Sequence, residues 1–412
     1  MYAQSFVAFL ALANTALGFP HAARSTGSKA ELFAQLEALT KTASEKTLED
    51  IRSGDSSRTS ASCTPETVKV RKEWYGVRLA IRGALSRDEK LAYIDAVKCL
   101  QSKPGKTPAD LAEGVRTRFD DFVATHINQT MTIHYTGNFL SWHRYYTHLY
   151  EETLREECGY NGAHPYWDWA LTAETGMETS PIWDGSETSL GGNGEFIADK
   201  GPVVIDMPGL PPFPLPTGSG GGCVTSGPFA NLTVNLGPIS LPAPGPVTLG
   251  PPGGKMLGYN PRCLKRDLTS ELIQQYANIN EVLDLITKPT NIDDFQMTMQ
   301  GVPGVGLGVH GSGHMSMGGD PGMDVYASPG DPVFYLHHGM IDKAWWIWQK
   351  LGGEERVTGE QAIFGTKTML NMPASDQASL EDFVEYGFAA GPPRQIKELM
   401  STTMGPFCYV YE

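Results

Sequence analysis

Nine of the ten histidines fall into two groups that lie far apart in the chain. Imidazole is the commonest side-chain ligand for transition metals such as zinc and copper. His310 and His314 are four residues apart, so on a helix their imidazoles share one face and can bind the same ion. We therefore predict that both groups bind metal. The groups comprise His126, His134, His143, His148 and His164, and then His310, His314, His337 and His338.

Each group can supply three neutral nitrogens to one ion. In the second group the third nitrogen would come from His337 or His338. The chain has no His-Glu-x-x-His pattern, which excludes the zinc metalloprotease arrangement. Three nitrogens with an open position are typical of copper, or of zinc that binds water. Two such sites facing each other inside a helix bundle would form a dinuclear centre for a small bridging ligand such as dioxygen.

Hydrophobic periodicity and capping signals predict the helices that position these histidines. Ser86 and Glu89 form a capping box. Thr107-Pro108 resembles a helix start with proline at the first position. We expect a mainly α fold with a central helix bundle that holds the dinuclear site. The predicted helices cover 29–51, 66–81, 86–102, 107–123, 138–157 and 332–350.

The stretch 201–254 differs from the rest of the chain, since 25 of its 54 residues are glycine or proline. Such a composition excludes a helix and is unfavourable for strands. A disordered linker is one interpretation. Because Cys223 lies inside the stretch and predicted bundle helices lie on both sides, we expect a long irregular loop excursion over 185–262, made by a single domain.

The first 18 residues have the features of a secretory signal peptide, with a short apolar run before Ala16-Leu17-Gly18. No later apolar stretch reaches the roughly 18 residues that a membrane span needs. We expect residues 1–18 to be removed, 19–62 to form an N-terminal arm or propeptide, and 63–412 to form one secreted domain. The net charge of −14 argues against nucleic-acid and anionic-membrane partners.

Secretion permits disulfides, and the six cysteines can form three of them in many combinations that spacing does not resolve. Our working hypothesis pairs Cys63 with Cys408, Cys99 with Cys158, and Cys223 with Cys263. Two sequons make Asn128 and Asn231 candidate glycosylation sites.

Two longer motifs resemble the type-3 copper proteins, which comprise tyrosinases, catechol oxidases and hemocyanins, and most of all a short fungal polyphenol oxidase. The first combines His126 and His134 with the string Phe139-Leu140-Ser141-Trp142-His143-Arg144. The second combines His310-x3-His314 with a string from Asp331 to His338 and Asp342. The resemblance covers about 70–411 and ends in Tyr409-Val410-Tyr411, which closes the core domain in this family. It implies that no C-terminal shielding domain follows.

The resemblance implies a centre of two copper ions. Carried over residue by residue, it gives His126, His134 and His143 for one ion, and His310, His314 and His338 for the other. Asp342 would accept a hydrogen bond that orients a ligand imidazole. Phe334 and His337 would belong to the substrate pocket or to its support. His148, His164 and His21 match no part of the motifs, and we expect them to be structural.

Three positions depart from the family's pattern, two of them from that of members that act on monophenols. Gly311 and Leu307 stand where such members carry Asn and Glu, a pair that holds a water able to deprotonate a phenol. Thr132 replaces a cysteine that other fungal members cross-link to the second ligand. We expect oxidation of o-diphenols to o-quinones, with O2 reduced to water, and Met315 to control access for small phenols.

Other functions fit the same ligands. A tyrosinase would hydroxylate monophenols, and a hemocyanin-like protein would bind O2 without oxidising anything. A disulfide-stabilised structural protein with fortuitous histidines is a further hypothesis. Copper content and oxygen uptake separate these functions. We expect a monomer or a weak dimer.

Overall fold

Helices dominate the computed structural model, which describes residues 27–75, 84–205, 212–242, 254–302, 305–359 and 361–412. The mainly α fold is therefore confirmed. The helices are α1 (Lys29–Ser53), α2 (Arg87–Ser102), α3 (Arg118–Ile133), α4 (Phe139–Cys158), α5 (Trp169–Thr175), α6 (Ser270–Tyr276), α7 (Ile279–Thr287), α8 (Ile292–Gln300), α9 (Val309–Met317) and α10 (Val333–Gly352).

The strands are short, and each pairs with one other strand. β1 and β12 run parallel, with Lys69 opposite Tyr409 and Arg71 opposite Tyr411, and the remaining pairs are antiparallel hairpins or bridges. The strands are β1 (Lys69–Arg71), β2 (Gly194–Phe196), β3 (Val203–Ile205), β4 (Phe213–Leu215), β5 (Gly221–Val224), β6 (Thr233–Val234), β7 (Arg262–Cys263), β8 (Gly301–Val302), β9 (Gly306–Leu307), β10 (Phe383–Val384), β11 (Arg394–Gln395) and β12 (Tyr409–Tyr411).

The centre of the fold is the packed pair α4 and α10, with α3 and α9 beside it. Every residue of α10 from Val333 to Gln349 is buried, which is typical of a helix with protein on all sides. α1 covers its outer side, where Trp346 Nε1 donates to Thr47 Oγ1 at 3.1 Å and Lys350 binds Asp50. The arm expected at 19–62 therefore contains a helix that packs on the central helix.

The helix predicted at 107–123 is wrong in its first part. Residues 107–117 form turns, and α3 begins at Arg118. Thr117 caps it together with Asp120, whose carboxylate accepts from the Thr117 amide at 2.8 Å. The adjacent Asp121 accepts from the amide of Thr107, and this bond holds the preceding turn outside the helix.

The helix predicted at 66–81 is also wrong within the described residues. Residues 69–71 form strand β1, which pairs with the C-terminal strand β12. Valines at 68 and 70 suit a strand, and a distant partner strand overrides their helical spacing. Trp74 is fully buried after the strand, and Val77 and Ile81 lie outside the described residues.

The excursion at 185–262 contains more regular structure than its composition predicted. Strands β2 to β6 and part of β7 lie within it, and β3 pairs with β4 as a hairpin. A disulfide joins Cys223 inside the excursion to Cys263 directly after it. Disulfides also join Cys63 to Cys408 and Cys99 to Cys158, so the structure contains the three pairs of the working hypothesis.

Among the described residues, none of the helices combines the length and the apolar character that crossing a membrane requires.

Replacing Thr117 tests where α3 begins. We expect Thr117→Ala to lower the free energy of unfolding by about 1 kcal/mol, because the substitution removes an N-cap side chain. Thr117→Ser keeps the hydroxyl and should retain most of the stability. Urea unfolding of both variants measures the difference, and equal loss in the two would contradict a capping role.

Candidate metal centre

Seven buried histidines meet at the centre of the fold, six of them on four helices and one directly after a helix. His126 lies on α3, His134 directly follows α3, and His143 lies on α4. One candidate ligand atom from each of these three lies within 4.8 Å of the others. The same holds for the second set, which α9 and α10 supply: His310, His314, His337 and His338.

The two sets of imidazoles are in direct contact. The rings of His143 and His338 stack with centroids 4.4 Å apart, and those of His134 and His310 are 6.1 Å apart. Phe334 lies between the sets, because its ring stacks on His338 at 4.2 Å and meets His126 edge-on at 5.4 Å. The arrangement can hold two ions side by side.

Backbone carbonyls fix the orientation of the imidazoles. Nδ1 of His143 lies 2.8 Å from the Phe139 carbonyl, and Nδ1 of His134 lies 3.0 Å from the Thr130 carbonyl. His126 and His314 have the same contact with carbonyls of Tyr326 and Gly322. A carbonyl only accepts, so each Nδ1 carries the proton and the Nε2 lone pair is left for another partner.

That other partner is missing from the protein itself. Nε2 of His126, His143 and His310 is buried without a hydrogen-bond partner, and so are both nitrogens of His338. Buried polar atoms without partners are rare because they cost free energy. Borderline imidazole nitrogens in sets of three fit copper, which would satisfy one nitrogen of each ring.

Burial also keeps the imidazoles neutral. Loss of solvation lowers the pKa of His134 and of His314 to about 4. Aided by neighbouring imidazoles, it also lowers the pKa of four other rings well below the ordinary value: His126, His143, His310 and His338. At neutral pH the rings are therefore uncharged and can bind a cation.

His337 differs from its neighbour His338 because its nitrogens are already bonded. Nδ1 accepts from Trp169 Nε1 at 3.0 Å, and Nε2 lies 3.1 Å from the His310 carbonyl. The ring is fully buried and connects α10 to α9. Of the two positions expected for His337, in the substrate pocket or in its support, these contacts favour the supporting one.

Gly313 makes this packing possible, and its role was not foreseen. A Cβ at this position would lie 2.1 Å from Cε1 of His337, whereas a Cβ at Gly311 would meet only the end of Leu307 at 3.3 Å. The Gly-Ser-Gly between His310 and His314 was the available signal. A residue with a side chain at 313 would push α9 away from His337.

Asp342 does not accept a hydrogen bond from an imidazole, contrary to expectation. Its carboxylate binds Arg144 and Arg71 and accepts from the hydroxyls of Tyr409 and Tyr411. Although burial opposes ionisation, the two guanidinium groups hold the pKa of Asp342 below its ordinary value. Asp342 thus ties α10 to α4, β1 and β12 one turn beyond His338.

The remaining expected pocket residues lie on one side of the centre. Leu307, Gly311 and Met315 are half-buried, while Phe334 is fully buried. His310 and His314 keep 8% and 9% of their surface exposed, compared with 0% for His126. The α9 side is therefore the more open side of the centre.

The other singled-out residues lie away from the imidazole sets. His148 packs edge-on against Phe407 at 4.9 Å, and His164 Nε2 bonds the Tyr335 carbonyl at 2.8 Å. Asn128 and Asn231 are exposed. His21 and the predicted signal peptide lie outside the described residues.

Comparisons with known proteins agree with this geometry. Residues 116–351 match the family described as the common central domain of tyrosinase. The chain is 41% identical over 345 residues to tyrosinase P of Aspergillus terreus, covering 83% of this chain and 91% of that protein. It is 42% identical over 364 residues to an N-acetyl-6-hydroxytryptophan oxidase of Emericella nidulans, covering 85% and 94%.

A solved structure shares the fold as well. The polyphenol oxidase of Thermothelomyces thermophila, determined as a Gly-to-Asn variant, superposes with a TM-score of 0.80 at 43% identity, over 93% of this chain and 98% of that chain. Both sets of histidines fall within the matched family domain. The chain belongs to the tyrosinase family of copper oxidoreductases, as its motifs indicated.

Substituting the two glycines of α9 tests the packing of His337. We expect Gly313→Ala to reduce bound copper and to destabilise the protein by about 1 to 3 kcal/mol, since overpacking must shift α9 or His337. Gly311→Ala is the matched control on the same helix, and it should retain copper and stability. Metal analysis and thermal unfolding check this; equal behaviour of the two variants would contradict it.

Alanine substitutions at His337 and His338, one at a time, test which of the two binds copper and which only supports the packing. His338→Ala should leave at most one copper per chain, because one triad loses a nitrogen. His337→Ala should keep two, at reduced thermal stability. Copper per chain by elemental analysis after loading decides the matter, and the reverse pattern would assign His337 as the ligand.

Proposed function

We propose that this chain is a dicopper polyphenol oxidase that oxidises o-diphenols to o-quinones and reduces O2 to water. The observation that carries the proposal is the pair of contacting imidazole triads with buried, unpartnered nitrogens. His126, His134 and His143 would hold one copper, and His310, His314 and His338 the other. Bound copper supplies the electron transfer between the diphenol and O2.

The protein itself would hold the copper ligands in place and would enclose the centre. Carbonyls of Phe139, Thr130 and Tyr326 keep each Nδ1 protonated, so the nitrogens that face the centre stay available as ligands. Phe334, fully buried between the triads, fills the space that water would otherwise occupy. Access is left to the α9 side, beside Gly311 and Met315.

The preference for o-diphenols follows from the side chains on the open side. Neither Gly311 nor Leu307 can hold a water or accept a proton. A monophenol must lose its proton and gain a hydroxyl, whereas a catechol is more acidic and already has both oxygens. Removal of a phenol proton would therefore depend on solvent, which makes monophenol oxidation slower.

We also propose that the protein is secreted after removal of residues 1–18, with glycans on Asn128 and Asn231. Three disulfides support an oxidising compartment, and both asparagines are exposed. Its reactants would be small phenols and O2, without nucleic-acid or membrane partners, and it would act as a monomer or weak dimer.

Oxygen uptake with paired substrates tests the function. Copper-loaded protein should contain two copper ions per chain and consume O2 with 4-methylcatechol at least about tenfold faster than with 4-methylphenol, a difference of about 1.4 kcal/mol in barrier. Comparable rates would favour a tyrosinase. Reversible O2 binding without quinone formation would favour an oxygen carrier, and protein that binds no copper would overturn the assignment.

The names of two relatives are the reason to include a monophenol in the assay. One relative at 42% identity is named for the oxidation of an N-acetyl-6-hydroxytryptophan, and another is named a tyrosinase. Including a 6-hydroxyindole in the assay therefore tests whether a single ring hydroxyl suffices. Turnover of that compound at the catechol rate would contradict the preference inferred from Gly311 and Leu307.

A further inference from the structure

A second apolar cluster, separate from the main core, lies beside the open side of the metal centre. Its buried members come from the hairpin β3–β4, from α6 and from the loop after α9, and Leu307 and Met315 pack against it. Those two residues are the ones expected to border the substrate. The buried members are Val203, Leu215, Leu272 and Met323.

The hairpin presents one face to this cluster. Val203 pairs with Leu215 and Ile205 with Phe213, so these four side chains share one side of the two strands. Val203 and Leu215 are buried, and Ile205 and Phe213 are half-buried against the cluster. Val204, one residue along, points to the other side and is 38% exposed.

The half-buried members are available to a ligand. Gly311 and Met315 share one face of α9, four residues apart, and both keep exposed surface. Ile205, Phe213 and Met315 all pack against the same buried cluster, so the hairpin and α9 share one set of apolar residues. A ring bound at the copper ions would therefore direct its substituent along an apolar wall.

Charge around this wall disfavours an anionic substituent. Three basic side chains near the end of α9 are already bound to carboxylates, which makes them poor partners for a substrate anion. The chain as a whole carries a net charge of −14. The bound pairs are Arg262 with Asp320, Arg266 with Asp331, and Lys200 with Asp267.

We propose that the hairpin β3–β4 is the outer wall of the substrate entrance, and that it selects neutral phenolic rings with an apolar substituent. The inference rests on the proposed function and names its substrate class. Ile205 and Phe213 are specificity-determining residues that contact the substituent and leave the reacting oxygens alone.

The test compares substrates within each copper-loaded variant. The measured quantity is the ratio of kcat/KM for 4-tert-butylcatechol to kcat/KM for catechol. Ile205→Ser and Phe213→Ser should each lower this ratio by roughly tenfold relative to the wild type, a loss of about 1.4 kcal/mol of apolar contact. Val204→Ser is the matched control on the same strand and should leave the ratio unchanged.

A conservative variant guards against misfolding. Phe213→Leu keeps an apolar side chain and should hold the ratio within about threefold of the wild type, well under 1 kcal/mol. Copper content reports that the centre of each variant is intact. An unchanged ratio in copper-replete Ile205→Ser and Phe213→Ser would overturn the proposal, as would equal effects of Val204→Ser.

Binding without turnover separates this proposal from the function on which it rests. Resorcinols have their hydroxyls in meta positions and cannot form an o-quinone. Calorimetry should show that Phe213→Ser weakens binding of 4-hexylresorcinol by roughly tenfold and leaves resorcinol unchanged. If catechol is not oxidised at all but this binding difference appears, the result supports the proposed wall and contradicts the oxidase assignment. If catechol is oxidised but Phe213→Ser does not weaken binding of 4-hexylresorcinol, only the proposal for the wall is contradicted.

An anionic catechol tests whether the wild-type protein disfavours a charged substituent. The kcat/KM for 3,4-dihydroxybenzoate should lie at least about tenfold below that for 4-tert-butylcatechol. Ile205→Lys places a cation on the wall and should raise kcat/KM for the benzoate while lowering it for the butyl compound. A wild-type preference for the benzoate would contradict the proposed substrate class.

Discussion

Seven imidazoles are buried away from water at one place, and the rest of the structure depends on meeting the cost of that burial. Each buried ring must have its nitrogens satisfied or must gain a metal to compensate. Backbone carbonyls satisfy one nitrogen on four of the six proposed ligand rings, which leaves the opposite nitrogen directed inward. The bundle is thereby stabilised by hydrogen bonds that also prepare the ligands.

The helices follow from this requirement. Residues 333–349 of α10 are buried on all sides because the helix carries ligands on one face and anchors on the others. Asp342 is the main anchor, with two arginines and two tyrosines around one carboxylate. Breaking one member of such a buried network would leave the other charges uncompensated.

Much of the centre could be predicted because its signals are local and repeated. Histidine spacing and the strings around His143 and His338 identified the residues that the structure brings together. The roles of His337 and Asp342 could not be read from spacing, since they depend on partners far along the chain, such as Trp169 and Tyr411. β1 was missed for the same reason, because its partner strand is β12.

The parallel pairing of β1 with β12 also determines the order in which the centre can be built. Tyr409 and Tyr411 leave the ribosome after every proposed ligand, yet they complete the shell around Asp342 of α10. During synthesis the six proposed ligands emerge before that clamp exists. The shell that supports the imidazoles from the Asp342 side is therefore complete only after the chain's two distant strands have met.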